Sequence, residues 1–171
     1  MITITIATPK DFETIESIAR QTWLSTYGEI LSKAQIEYML QAMYSNPVLN
    51  DNYLNKNHRF LLLNEFENSI GFASYEHHYL DTNSTRLHKL YLFPENQGKG
   101  LGKLLLDRIL ALAKENRSEK ISLNVNRFNK AYLFYQKMGF EIVAEENLFI
   151  GNGYFMEDYK MEFKLMIQIK N

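Results

Sequence analysis

The chain has 171 residues, 46% of them hydrophobic and 23% charged, with a formal net charge of −1 at pH 7 and no cysteine. That size suits a single domain over residues 1–171, enough to bury roughly two thirds of the surface the unfolded chain exposes. The near-zero charge without a long basic run argues against a nucleic-acid partner, and the lack of cysteine excludes disulfides, thiolate metal ligands and an acyl-cysteine intermediate.

Ile2, Ile4 and Ile6 alternate with threonine and predict a half-buried strand. This opening lacks the basic start and long apolar core of a signal peptide, and no run of apolar residues is long enough for a membrane span, so a cytoplasmic protein is expected. Thr8 and Pro9 read as a cap and first-turn proline ahead of Phe12, Ile15, Ile18 and Ala19. Ser32 with Gln35 makes a capping-box pattern before Ile36, Met39, Leu40 and Met43, and a shorter helical stretch follows Pro47. Strand-like runs at His58 to Leu63 and Ile70 to Leu80, then Arg86 to Phe93, make an antiparallel meander. From Gly98 to about Lys114, Leu101, Leu104, Leu105, Arg108, Ile109 and Leu112 recur at helical spacing, and Lys120 to Val125 returns as a parallel strand, giving a βαβ unit. A helix from Asn129, a strand from Phe140, a turn at Gly151–Gly153 and a strand from Tyr154 to Leu165 complete an α+β fold with a mixed sheet.

The stretch Leu87 to Lys103 says most about chemistry. It reads as a strand turning through Gly98, Gly100 and Gly102 into a helix, with lysines beside the turn. Glycine allows successive N–H groups to converge, and a helix N-terminus adds unpaired amides and about half a positive charge, so the turn suits a pyrophosphate. Two familiar phosphate loops are excluded. Leu104 stands where a Walker loop needs a hydroxyl, and Lys103 stands where a dinucleotide fingerprint needs its third glycine.

Gln97-Gly-Lys-Gly-Leu-Gly102 instead resembles the Q/R-x-x-G-x-G/A loop of the GNAT superfamily of acyl-CoA-dependent N-acetyltransferases. The segment Asn129 to Phe140, with Tyr135 and Gly139-Phe140, is similar to that family's second signature. The likeness runs from about Ile2 to Lys164 and is most specific between Leu87 and Phe140. It implies a mixed, mostly antiparallel β-sheet flanked by helices, with the pyrophosphate loop on the central βαβ unit. It also implies acetyl-CoA as co-substrate without a metal, bound in a cleft between the strands 87–93 and 120–125.

On the same resemblance, Gln97, Gly98, Lys99, Gly100, Leu101, Gly102 and Lys103 hold the diphosphate, chiefly through backbone amides. The side chains of Lys99, Lys103 and Lys137 meet phosphates, and Leu90, Tyr91 and Leu92 bond the pantetheine arm like an added strand. Tyr135 is the general acid, a phenol of ordinary pKa about 10 that protonates the departing thiolate, with Tyr132 as the competing tyrosine. Asn129 is either a coenzyme ligand or a helix cap, because Phe128 occupies the position where the family often has asparagine; Asn124 and Asn126 are the alternative amides.

His88 is the candidate base, against the alternative of a packed strand histidine. His77, His78 and Asp81 make a poor metal site, since neighbours on a strand face opposite ways. Trp23, Tyr27, Glu29, Glu76, Tyr154 and Asp158 are the candidates for holding a cationic amine. A looser similarity to the bacterial diamine and polyamine branch ranks a polyamine first among small-molecule acceptors. A protein N-terminus or lysine comes next, and a coenzyme-binding module without turnover is the rival class. A homodimer is left open.

Overall fold

The computed structural model describes residues 1–166. Threonine and isoleucine alternation does form a strand, β1 (Ile2–Ala7). Pro9 opens a short 3-10 turn instead of the helix proper, because the Asp11 carboxylate reaches back to accept the Thr8 N–H at 2.8 Å. Helix α1 follows as Phe12–Tyr27. The capping pattern is realised at α2 (Lys33–Tyr44), where the Ser32 hydroxyl accepts the Gln35 N–H at 3.1 Å. Pro47 sits in the first turn of α3 (Asn46–Asn55), where its missing N–H has no partner to lose.

Two compact units result, one of Met1–Glu76 with His88–Ile109, the other of His77–Leu87 with the chain from Leu110 on. In the first, β1 pairs antiparallel with β2 (Arg59–Glu65), Ile4 opposite Leu63, and β2 with β3 (Asn68–His77), Leu61 opposite Ala73. Its core holds Phe12, Ile15, Trp23, Tyr44, Phe60, Phe72, Leu105 and Leu106, each 1% exposed or less. Every such side chain contributes roughly 1.5–3 kcal/mol of burial. β3 ends at His77, earlier than Leu80, because His78, Leu80 and Asp81 all take left-handed backbone (φ 52 to 56°) that no strand can continue.

Strand β4 (Ser84–Leu92) contributes to both units and runs past β3, with the Phe93 N–H donating to the Ile70 carbonyl at 3.0 Å. Gly71 makes that approach possible. A Cβ there would lie 2.4 Å from Leu92 Cδ2 and 2.7 Å from the Tyr91 carbonyl oxygen. Gly71→Ala is therefore expected to cost about 1–3 kcal/mol, read as a Tm lowered by about 5 °C in a thermal melt. An unchanged Tm would refute so close a contact.

In the second unit, β4 pairs in parallel with β5 (Lys120–Asn126) over Ser84–Arg86, and β5 pairs antiparallel with β7 (Tyr154–Lys164), Leu123 opposite Met161. β6 (Glu141–Gly151) pairs with β7 through a two-residue hairpin. Its residues Asn152 and Gly153 both have positive φ, as that turn demands. The strand order is β1-β2-β3-β4-β5-β7-β6, a mostly antiparallel sheet with one parallel pair. Helix α4 (Leu101–Glu115) buries Leu105, Leu106, Ile109 and Ala113 completely, while Leu104 is 43% exposed and Arg108 faces water. Its apolar face is thus rotated from the one read in the sequence. Helix α5 (Ala131–Lys137) is a turn and a half to two turns long. Among the described residues no helix is long and apolar enough to cross a membrane.

Candidate active site

After Leu92 the chain passes through a 3-10 turn, Pro94–Asn96, and the Gln97 side-chain amide donates to the Leu92 carbonyl at 3.2 Å. Gly98 and Gly100 have φ of +75° and +77°, and no atom lies within 4 Å of a Cβ built on either. Glycine is needed there for backbone conformation and not for room. Because left-handed residues cannot join a right-handed helix, α4 starts at Leu101 and not at Gly98. Its first helical bond is from the Leu104 N–H to the Gly100 carbonyl, 3.1 Å. The N–H groups of Leu101, Gly102 and Lys103 come before that bond, at the positions where a helix has no internal acceptor. A row of donors without internal acceptors at the positive end of a 15-residue helix is suited to an anion.

The lysines are less committed to that role. The Lys103 ammonium lies 2.6 Å from Asp107, one turn along the same helix, and both are well exposed. Lys99 is exposed at the turn, and Lys137 is exposed in the last turn of α5, in the other unit. Leu90 and Tyr91 are half-buried and Leu92 is buried; all three lie beyond the Ser84–Arg86 stretch that pairs with β5.

His88 is not an isolated strand histidine. Its Nε2 is 2.8 Å from Glu76 Oε2, and its ring stacks on His58 with centroids 3.9 Å apart and planes 14° from parallel. His58 Nε2 approaches the same Glu76 oxygen at 3.6 Å. Strand register explains the convergence: Arg59 pairs with Tyr75, so one step outward sets His58 beside Glu76. The close pass of Gly71 by Tyr91 and Leu92, carried along both strands, brings His88 to the same level.

His58 is buried, with no hydrogen-bond partner on Nδ1. Burial first, then the Lys89 and Lys56 charges, lower its pKa to about 4. It is therefore neutral at pH 7, and its contact with Glu76 is not an ion pair. The three ligand-type atoms lie within 4.8 Å of one another. A carboxylate accepts and cannot donate, so at 2.8 Å it takes the Nε2–H of His88 and selects that tautomer.

Beside it, Lys89 is buried with its Nζ 5.1 Å from the centre of the Tyr44 ring. Burial, then the Lys56 charge, lowers its pKa to about 8.

Tyr135 is buried at 8% exposure, with ring centroids 5.2 Å from Phe134 and 5.7 Å from Phe140. Its carbonyl accepts the N–H groups of Met138 and Phe140, which locks the end of α5. Tyr132 packs edge-on against Tyr159, centroids 5.3 Å apart. Asn129 Oδ1 accepts the Ala131 N–H at 3.0 Å, so that side chain caps α5. Asn126 Oδ1 accepts the Phe128 N–H, and Asn124 bonds Arg86 and Glu146. Trp23 and Tyr27, read from sequence as acceptor contacts, are core residues at 1% and 4% exposure with rings 4.4 Å apart. His77 Nδ1 lies 2.7 Å from Thr85 Oγ1, which in turn meets Ser118 Oγ at 2.7 Å, a buried hydroxyl chain.

A mostly antiparallel sheet whose fourth strand runs through a left-handed glycine turn into an anion-suited helix start defines an acyltransferase of the N-acetyltransferase kind. The sequence matches the Acetyltransferase (GNAT) domain over residues 29–163. A spermidine N(1)-acetyltransferase of Thermoplasma acidophilum is 31% identical over 153 residues, covering 86% of this chain and 91% of that protein. A ribosomal protein bS18-alanine N-acetyltransferase of Haemophilus influenzae is 36% identical over 91 residues, 52% of this chain and 60% of that one. The crystal structure of PaiA N-acetyltransferase from Thermoplasma acidophilum in complex with coenzyme A superposes with a TM-score of 0.80 at 29% identity, over 96% of this chain and 99% of that one. The chain belongs to the GNAT acetyltransferase family.

Proposed function

We propose that this protein transfers the acetyl group of acetyl-CoA to a primary amine of a small aliphatic polyamine, both substrates being bound together. The observation that carries the reading is the left-handed turn at Gly98 and Gly100 running into the open N-terminus of α4. Those amides hold the coenzyme diphosphate, and the backbone of Leu90 to Leu92 bonds the pantetheine arm as a strand would. The coenzyme A held by the PaiA structure and the spermidine activity named for the Thermoplasma relative support donor and acceptor respectively.

In the reaction the amine lone pair attacks the thioester carbonyl; a C–N bond forms, the C–S bond breaks, and the sulfur leaves as thiolate. The amine must first be neutral. His88, oriented by Glu76, takes up the proton that the nitrogen loses, and the Tyr135 hydroxyl returns one to the sulfur. Holding both substrates in attacking geometry supplies most of the acceleration. A peptide N-terminus is the second acceptor class, favoured by the bS18-alanine relative.

The test is calorimetry with acetyl-CoA, followed by thiol release across spermidine, putrescine, an alanine-first peptide and a lysine peptide. Heat with acetyl-CoA and fastest release with a polyamine are expected. Binding without release for every acceptor would make the protein a coenzyme-binding module, and no heat at all would remove the coenzyme reading.

A further inference from the structure

His58, Glu76 and His88 all belong to the first compact unit, and each comes from a different segment of it. His58 stands just ahead of β2, its N–H pinned to the Asn52 carbonyl at 3.0 Å, while Glu76 is near the end of β3 and His88 lies within β4. Glu76 Oε2 is 2.8 Å from His88 Nε2 and 3.6 Å from His58 Nε2. Three atoms of metal-ligand type, one from each side chain, thus gather about one point.

His58 gives a separate sign that a partner is wanted there. It is 8% exposed, its Nδ1 has no hydrogen-bond partner, and at 3.6 Å its Nε2 is beyond hydrogen-bonding reach of Glu76. Burying an imidazole without using its donor or its acceptor is costly, and a metal ion on Nε2 supplies that nitrogen with a bond. The side chains of Glu76 and His88 are each 19% exposed, which leaves the cluster open to an ion from solution.

Two imidazoles and one carboxylate are a known donor set for zinc, with bonds of about 2.0–2.2 Å and a fourth position left for water. Tetrahedral bonds of that length set neighbouring donors about 3.4 Å apart, between the two separations found around Glu76 Oε2. Ligation turns the Nε2 edges of the two rings, stacked with centroids 3.9 Å apart, toward each other. The charges of Lys89 and Lys56 act on His58, so the cluster is not strongly negative. An ion there is held by its imidazole bonds, which favours zinc over the magnesium or calcium that carboxylate sites select.

We propose that His58, Glu76 and His88 form a zinc site, and that zinc bound there inhibits the protein by withdrawing His88 from catalysis. The binding half of this statement stands by itself; the inhibitory half rests on the acetyltransferase reading, in which His88 is the base. With Glu76 accepting the Nε2–H, the lone pair of His88 is on Nδ1 and can take the proton of the amine. Zinc occupies a lone pair on Nε2, so the single proton of the neutral ring moves to Nδ1 and closes the atom that was to accept. Glu76, which selected the productive tautomer, then ligates the ion instead.

The experiment titrates untagged wild type, H58Q and E76Q with zinc chloride by calorimetry. It also follows acetylation of the fastest amine acceptor against zinc concentration, by chromatography of the acetylated amine because free coenzyme thiol itself takes zinc. Wild type is expected to bind one zinc per chain and to melt at a higher temperature with zinc present, and each variant to bind at least tenfold more weakly. Zinc should suppress wild-type acetylation, a chelator should restore it, and half-inhibition of H58Q should need at least tenfold more zinc. Glu76 is partly exposed, so the binding arm with E76Q keeps the test open should H58Q fold poorly. No saturable zinc heat with wild type, or equal affinity in a folded variant, overturns the site. Zinc bound by wild type with acetylation undiminished overturns the inhibitory half. Zinc binding that weakens in the variants, with no amine acetylated by wild type at any zinc concentration, supports the site and overturns the transfer reading.

Discussion

Tyr135→Phe should lower kcat by about a hundredfold or more, the range lost when a positioned general acid is removed, with acetyl-CoA affinity held within about twofold. The change deletes one hydroxyl and keeps the ring that packs on Phe134 and Phe140. Stability should therefore fall by no more than about 1 kcal/mol, the net worth of one hydrogen bond. The effect should sit in kcat and not in KM for the amine, because the proton is needed only as the C–S bond breaks. Full turnover by a folded variant would show that Tyr135 is a packing residue and that the thiolate leaves without its help.

How much of this was legible in the sequence depended on whether the determining force was local. Gly98, Gly100 and the Asn152-Gly153 hairpin could be read because positive φ is strongly disfavoured for side-chain-bearing residues, so the residue type reports the backbone. Ser32 and Gln35 could be read because a cap is decided within four residues. The end of β3 could not, since His78, Leu80 and Asp81 adopt left-handed backbone without the glycine that would announce it. Leucine is too evenly spread along α4 for its spacing to decide between the face holding Leu104 and the face holding Leu106; packing against the rest of the fold decided it. The pairing of His88 was hidden for a further reason. His58, Glu76 and His88 lie on three segments, and only the register of β2 on β3 and the passage of β3 by β4 bring them together. The opposition of Glu146 and Asp158 is likewise a product of hairpin register, set by the two-residue turn together with the register shift between Phe149 and Gly151.

Acid should destabilise the protein through His58. Its pKa is about 4 in the folded chain against an ordinary 6.5, so between those values the unfolded state binds a proton that the folded state refuses. Unfolding free energy then rises with pH across that window: the contribution of His58 is fully present above 6.5 and is lost as pH falls toward 4, about 3 kcal/mol in all. Asp158, with its carboxyl raised, works in the opposite direction, but equally in wild type and in a His58 variant. Denaturant melts of wild type and His58→Gln at pH 4 and pH 6.5 isolate the term. Wild type should lose about 3 kcal/mol more than the variant, whose absolute stability is lower at pH 6.5 for want of the stacked ring. Equal losses would mean that Glu76, 3.6 Å away, compensates a protonated His58 after all. On the proposed mechanism the same burial serves catalysis: an imidazolium stacked 3.9 Å from His88 would make that ring a weaker base, and a neutral His58 puts no such charge beside it.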